Sequence, residues 1–275
     1  MIENFKYYKP GLAGSWLMVA LMLVGSLVAG FSLPSTVHSP GYLLMMILPI
    51  AWCLWQGGNE REAGATPLPV NAPHFGKLST GAFLALSGIA LLALSVVIEP
   101  TTSFIPMPDL IKNLFEKVFL ESKLWDMILA TCILAPLMEE FVCRGMMLRG
   151  MLCQMSTRKA ILWSAFLFAF MHLNPWQAIP AFLCGIFLGW VYVRTHCLWA
   201  TIFLHFLNNA ISTAISRIWT DLPVDASWKD ILPPTTYWVL YASCVVVVAV
   251  TVYILHEKTL PAQIQRDLQT ESLGQ

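Results

Sequence analysis

Glu139, Glu140 and Arg144 stand in the run Leu134-Ala-Pro-Leu-Met-Glu-Glu-Phe-Val-Cys-Arg-Gly145, whose other residues are built for an apolar surrounding. A charged side chain at the centre of a bilayer costs about 2.5–3.5 kcal/mol on insertion scales, so three in one stretch demand partners or a purpose. At 100° per residue of helix, Glu139 and Glu140 sit side by side, and Arg144 lies one turn from Glu140 in the favourable i, i+4 order. That pairing lets both ions exist in a low dielectric and fixes the helix rotation that aims Glu139, which has no local partner. His172 and His205 stand in later apolar runs, and Asn209 follows His205 by one turn. The set suits hydrolysis. Glu139 and His172 can hold and deprotonate a water that attacks a carbonyl, while His205 and Asn209 can donate hydrogen bonds to the oxyanion that forms.

Each residue also has a plainer reading. Glu140–Arg144 serves equally as a structural tie, Asn208 and Asn209 as polar glue between helices, and Phe168 as packing. The coincidence of Glu-Glu, His and His-x-x-x-Asn within three apolar runs favours the chemical reading. The remaining histidines, His38, His74, His196 and His256, fall in or beside loops and are expected to have no catalytic role.

The elements that must position these groups follow from composition. The chain has 275 residues, 57% hydrophobic and 12% charged, where a soluble domain carries about 25% charge. The expected fold is therefore all-α, a polytopic membrane helix bundle in a single integral membrane domain over residues 1–275. Lys+Arg and Asp+Glu both number 16, which gives no reason to expect a nucleic-acid partner. The seven cysteines include no Cys-x-x-Cys pair and read as small hydrophobes in helix packing.

About eight transmembrane helices are expected, near 12–31, 42–55, 78–98, 125–148, 160–173, 176–192, 198–215 and 236–255. Leu12 to Phe31 is too long for an ordinary signal-peptide core and reads as an uncleaved first helix. Residues 57–77 hold glycines, prolines and charges and read as a loop. Over 101–122, Leu110, Ile111, Leu114, Phe115, Val118 and Phe119 recur at helical spacing, which predicts one amphipathic interfacial helix. Asn174-Pro175 breaks the fifth span from the sixth, and a Gly185-x-x-x-Gly189 face lets a neighbour approach closely. With the N-terminus inside, Lys6, Lys9, Arg61, Lys77, Arg149, Arg158, Lys159, Arg194, Lys258 and Arg266 lie on the inner side. Only Lys112, Lys117, Lys123, Arg217 and Lys229 lie outside, which favours cytoplasmic termini.

Glu139-Glu140-x-x-x-Arg144, Phe168-x-x-x-His172 and His205-x-x-x-Asn209 resemble the three ordered motifs of the CAAX protease and bacteriocin-processing (CPBP, or Abi) family, which includes the type II CAAX prenyl endopeptidase. The stretch His172-Leu-Asn-Pro-Trp-Gln-Ala-Ile179 resembles bacterial members, and the similarity covers about residues 125–215. The resemblance implies an intramembrane endopeptidase of the glutamic type in a bacterial inner membrane, with no cofactor. Glu139 and His172 would activate water, His205 and Asn209 would form the oxyanion hole, and Glu140 and Arg144 would support the site. The partners implied are the lipid bilayer and a peptide or protein substrate, prenylated or not. Two other classes stay open. Glu and two His can bind zinc, although no His-Glu-x-x-His is present. Buried acids also suit a proton-coupled transporter, or a non-catalytic membrane scaffold or immunity protein.

Overall fold

The computed structural model describes residues 1–33, 38–117, 122–219, 221–223 and 225–259, and among them there is no strand. The main helices are α1 (Leu12–Ser32), α2 (Ser39–Glu62), α3 (Thr80–Ile98), α4 (Asp109–Glu116), α5 (124–152), α6 (Thr157–Phe170), α7 (Pro175–Thr195), α8 (Leu198–Ile218) and α9 (Pro234–Lys258). Six of these, α1, α2, α3, α7, α8 and α9, are long and apolar enough to cross a membrane, α3 together with the turn Pro100–Ser103 that follows it. The other two expected spans take a different form. The path of α5 alternates α-helical turns with two π-helical stretches, Ile128–Leu134 and Phe141–Leu148. The 14 residues of α6 rise only about 21 Å, against a hydrocarbon core of about 30 Å.

The core is organised around α5. Every residue from Val142 to Met151 is buried, as expected of a helix that is apolar nearly all round. Met18, Met22 and Met46 of α1 and α2 pack with Met146, Met147 and Leu148, and Phe168 closes the cluster from α6. Helix α1 pairs with α2, α6 with α7, α3 with α9, and α8 lies along α5. Leu27, Phe31, Trp238, Val239 and Val246 face outward, where lipid supplies their apolar surroundings.

Three sequence expectations change in detail. Helix α2 runs on to Glu62 instead of ending at Trp55, because Gly57 makes room rather than a break. A Cβ on Gly57 would lie 2.1 Å from the Asn4 carbonyl, and Asn4 in turn donates to Leu54 O at 3.2 Å. The amphipathic segment is helical over Asp109–Glu116, with Leu110 and Leu114 exposed. Val118, Phe119 and the polar tail from residue 260 lie outside the described residues. The Gly185/Gly189 face is used within the chain. The Gly185 Cβ position is 3.2 Å from Ala165 Cβ and that of Gly189 is 3.3 Å from Ile161, so these glycines seat α7 against α6.

Arg149 is the largest departure. It reads in the sequence as a loop cation, yet it is buried and donates to five carbonyls: Gly145 at 2.6 Å, Leu68 at 2.6 Å, Phe5 and Tyr8 at 2.7 Å and Lys6 at 3.3 Å. It ties the N-terminal segment and the 66–70 stretch to one end of α5. Asp126 does similar work elsewhere along α5. It accepts from His38 N at 2.7 Å, Ser39 N at 3.2 Å and the Ser39 hydroxyl, and so caps α2 from a distant helix.

His196, between α7 and α8, is buried at a left-handed backbone position (φ 48°). Burial pushes its imidazole down to about 4, and the Arg149 guanidinium acts in the same direction. The ring is therefore neutral in the folded protein, while the unfolded chain takes up a proton at its ordinary value near 6.5. Its contribution is intact above about pH 6.5 and is lost as pH falls toward 4, by up to about 3 kcal/mol. The melting temperature of the wild type should drop across that window, and His196→Asn, which tolerates the backbone, should flatten the slope. Identical slopes would rule the assignment out.

Candidate active site

Pro136 shapes the first wall of the site. In the π-helical stretch before it, Ala135 N donates to Ala130 O, one residue further back than in an α-helix. The next bond in that register would join Thr131 O to residue 136, and proline has no N–H to give. The freed Thr131 carbonyl instead accepts from Asn209 Nδ2 of α8 at 2.9 Å. A proline five residues after Thr131 was the available sequence signal, and it points to a backbone atom that residue-type reasoning passes over.

One helical turn on, the ionisable groups meet. Arg144 Nη1 donates to Glu140 Oε1 at 2.7 Å, and both side chains are fully buried. The same oxygen lies 2.9 Å from His205 Nδ1. Arg144 Nη2 reaches Gly185 O at 3.1 Å, and its guanidinium sits 4.8 Å above the Phe168 ring. Glu140 therefore does more than pair with Arg144. A buried carboxylate accepts, so the proton on His205 lies on Nδ1, and Nε2 turns toward Glu139, 4.0 Å from its Oε2.

His172 enters from the end of α6, where the chain turns through Leu173 at φ 55°. Its Nδ1 lies 3.0 Å from Phe168 O, which can only accept, so Nδ1 carries the proton and Nε2 is left as an acceptor. Asn174 holds the turn by accepting from Gln177 N at 2.9 Å and donating to His172 O at 2.9 Å, and Pro175 opens α7. The expected break at Asn174-Pro175 is thus the device that places His172. Phe168, expected to be packing, stands edge-on to both imidazoles, 5.3 Å from His172 and 5.8 Å from His205 between ring centres.

Glu139, His172, His205 and Asn209 all line one cavity of about 520 Å³, a volume typical of small-molecule or peptide side-chain pockets. Glu140 and Arg144 stand behind it. All six residues singled out in the sequence are therefore gathered at one place, and both histidines lie within electrostatic reach of Glu139. Helices α1, α2 and α3 complete the wall with Met22, Tyr42 and Leu91. Among the described residues, no group of three or more His, Cys, Asp or Glu is arranged to hold a metal ion.

A helical chain with six helices long and apolar enough to cross a membrane has the build of a polytopic integral membrane protein. Residues 121–211 match the family model described as type II CAAX prenyl endopeptidase Rce1-like, so the CAAX-protease resemblance carried by the motifs holds over this segment. Every motif residue from Glu139 to Asn209 falls inside it, while α1, α2, α3 and α9 fall outside. Comparison with curated proteins and with solved structures gave no match.

Proposed function

We propose that this chain is an intramembrane endopeptidase of the glutamic type, acting on a peptide or membrane-associated protein, prenylated or not. The observation that carries the reading is the convergence of Glu139, His172, His205 and Asn209 on one cavity inside the matched segment. The Glu139 carboxylate takes a proton from water, and the hydroxide adds to the scissile carbonyl carbon. His172 Nε2 accepts the second hydrogen of that water and holds it in line. The oxyanion receives N–H donors from His205 and Asn209. When the C–N bond breaks, the proton on Glu139 passes to the leaving amine, giving one peptide acid and one amine.

The hydrogen-bond inventory adds a condition. Because His205 Nδ1–H is engaged by Glu140, Nε2 can donate only from the imidazolium form. Glu139 and Glu140 as carboxylates with Arg144 and His205 as cations sum to zero, so the cluster can hold that proton without net buried charge. The hydrolase draws on no metal in this scheme.

The bilayer setting is part of the proposal. Helices α5 and α6 bring the helices embedded in a bacterial inner membrane to eight, with both termini cytoplasmic on the strength of the basic-residue count. With α6 only about 21 Å long, the His172 turn lies within bilayer depth. There its backbone must be satisfied internally, which Asn174 does.

Mass spectrometry of a peptide library incubated with purified protein in detergent tests the reading. Half of the library would carry S-farnesyl cysteine and half none. Wild type should cleave a subset, and Glu139→Ala and His172→Ala should cleave none while staying folded. Retained turnover in both variants would sink the proposal. Glu139-dependent ion flux in vesicles without any cleavage would favour a transporter instead.

A further inference from the structure

Helix α3 lies outside the segment 121–211, yet one of its hydroxyls is bonded into the reaction cavity. Ser95 Oγ donates to Asn208 Oδ1 at 2.9 Å, sharing its hydrogen with Leu91 O at 3.0 Å. Asn208 Nδ2 donates to Asn209 Oδ1 at 3.3 Å, and Asn209 Nδ2 donates to Thr131 O at 2.9 Å. Asn208 itself lines the cavity beside Asn209.

The polarity of this chain has only one solution. Thr131 O can only accept, and Pro136 leaves it free to do so. Asn209 must therefore present nitrogen to Thr131 and oxygen to Asn208. Asn208 must answer with its own nitrogen, which leaves its oxygen for Ser95. Flipping Asn209 by 180° would set oxygen against oxygen at Thr131 and nitrogen against nitrogen at Asn208, and flipping Asn208 would set its oxygen against that of Asn209. A primary amide has two N–H groups and one carbonyl oxygen, so the chain consumes the oxygen and one N–H of Asn209. One N–H remains, in an amide plane fixed from both sides. An unheld asparagine in a cavity of this size would exchange donor for acceptor by rotating about its last torsion. An oxyanion donor is effective only if it is already aimed when charge develops.

We propose that Asn208 and Ser95 are positioning residues for the hydrolytic centre, holding the Asn209 amide with its remaining N–H directed into the cavity toward the oxyanion. The inference rests on the endopeptidase reading above, and it brings α3, which the family match leaves out, into the catalytic apparatus.

The test is a double-mutant cycle on the library peptide that wild type cleaves fastest, prepared as a quenched-fluorescent substrate. Asn209→Ala should lower kcat about 10²–10³-fold, the usual effect of removing one oxyanion donor. Asn208→Ala should lower kcat about tenfold with KM within about twofold of wild type, and Ser95→Ala about three- to tenfold. In the Asn209→Ala background, Asn208→Ala should cause no further loss, because the group it positions is gone. Ser95→Thr, which keeps the hydroxyl, should recover most of the activity lost in Ser95→Ala. Ser95→Ala also stands in should Asn208→Ala fold poorly. Losses from Asn208→Ala and Asn209→Ala that multiply would overturn the inference, as would kcat values for Asn208→Ala and Ser95→Ala within about twofold of wild type. A cleaving wild type with unaffected variants overturns this inference alone, whereas a wild type that cleaves nothing overturns the endopeptidase reading and this inference together.

Discussion

Arg144→Ala is expected to destabilise the folded protein by about 3–5 kcal/mol, the usual cost of breaking a buried ion pair by removing one partner. The reason lies in what stays behind. Glu140 is fully buried and would keep only His205 against its charge, with one of its oxygens already lacking a hydrogen-bond partner among the described residues. The Gly185 carbonyl and the face of Phe168 would each lose the guanidinium as well. Replacing both members, Glu140→Leu with Arg144→Leu, should recover much of that stability, because no uncompensated charge is then buried. Activity should not return, since His205 would lose the carboxylate that sets its Nδ1–H. Thermal unfolding in detergent, set beside turnover, reads both halves. A double variant as unstable as Arg144→Ala alone would contradict the ion-pair explanation, and an active one would remove Glu140 from the orientation of His205.

Glu139→Gln should leave the fold in place and lower kcat by about 10²–10⁴-fold, or about 3–5.5 kcal/mol of barrier at 1.36 kcal/mol per decade. Glutamine matches the shape of glutamate but cannot take the proton from water. Glu139 touches the protein less than Glu140 does: it makes no ion pair with Arg144, and its nearest charged partner is His205 Nε2 at 4.0 Å. Removing its charge therefore costs little structure, and the melting temperature should hold or rise. Loss of activity with loss of folding would recast Glu139 as a structural residue.

The contrast between these neighbouring glutamates was visible in the sequence, because an i, i+4 arginine serves Glu140 and none serves Glu139. Ionisable residues in apolar helices are conspicuous by type, so five of the six candidate residues could be picked out without coordinates, and Asn209 followed from its spacing of one turn after His205. What escaped inspection depends on backbone atoms and distant contacts. Four of the five carbonyls on Arg149 come from Phe5, Lys6, Tyr8 and Leu68, all more than 80 positions away, and nothing in the local sequence separates such an arginine from a loop cation. Gly57 looked like a breaker because glycine breaks helices in solution; here its missing side chain admits Asn4. The Thr131 carbonyl is a product of the proline register, legible only once the π-helical path of α5 is known. Asn208 reads in the sequence as polar glue between helices, but its partner Ser95 has nothing in its local sequence to mark it.

The most direct test of a metal-free Glu139–His172 hydrolase is one turnover assay on metal-analysed protein, with wild type and Glu139→Gln side by side in excess chelator. Wild type should cleave its best library peptide at an undiminished rate while carrying well below one metal ion per chain, and Glu139→Gln should be inactive. Stoichiometric bound metal with activity abolished by chelator, or a Glu139→Gln protein that cleaves like wild type, would contradict it.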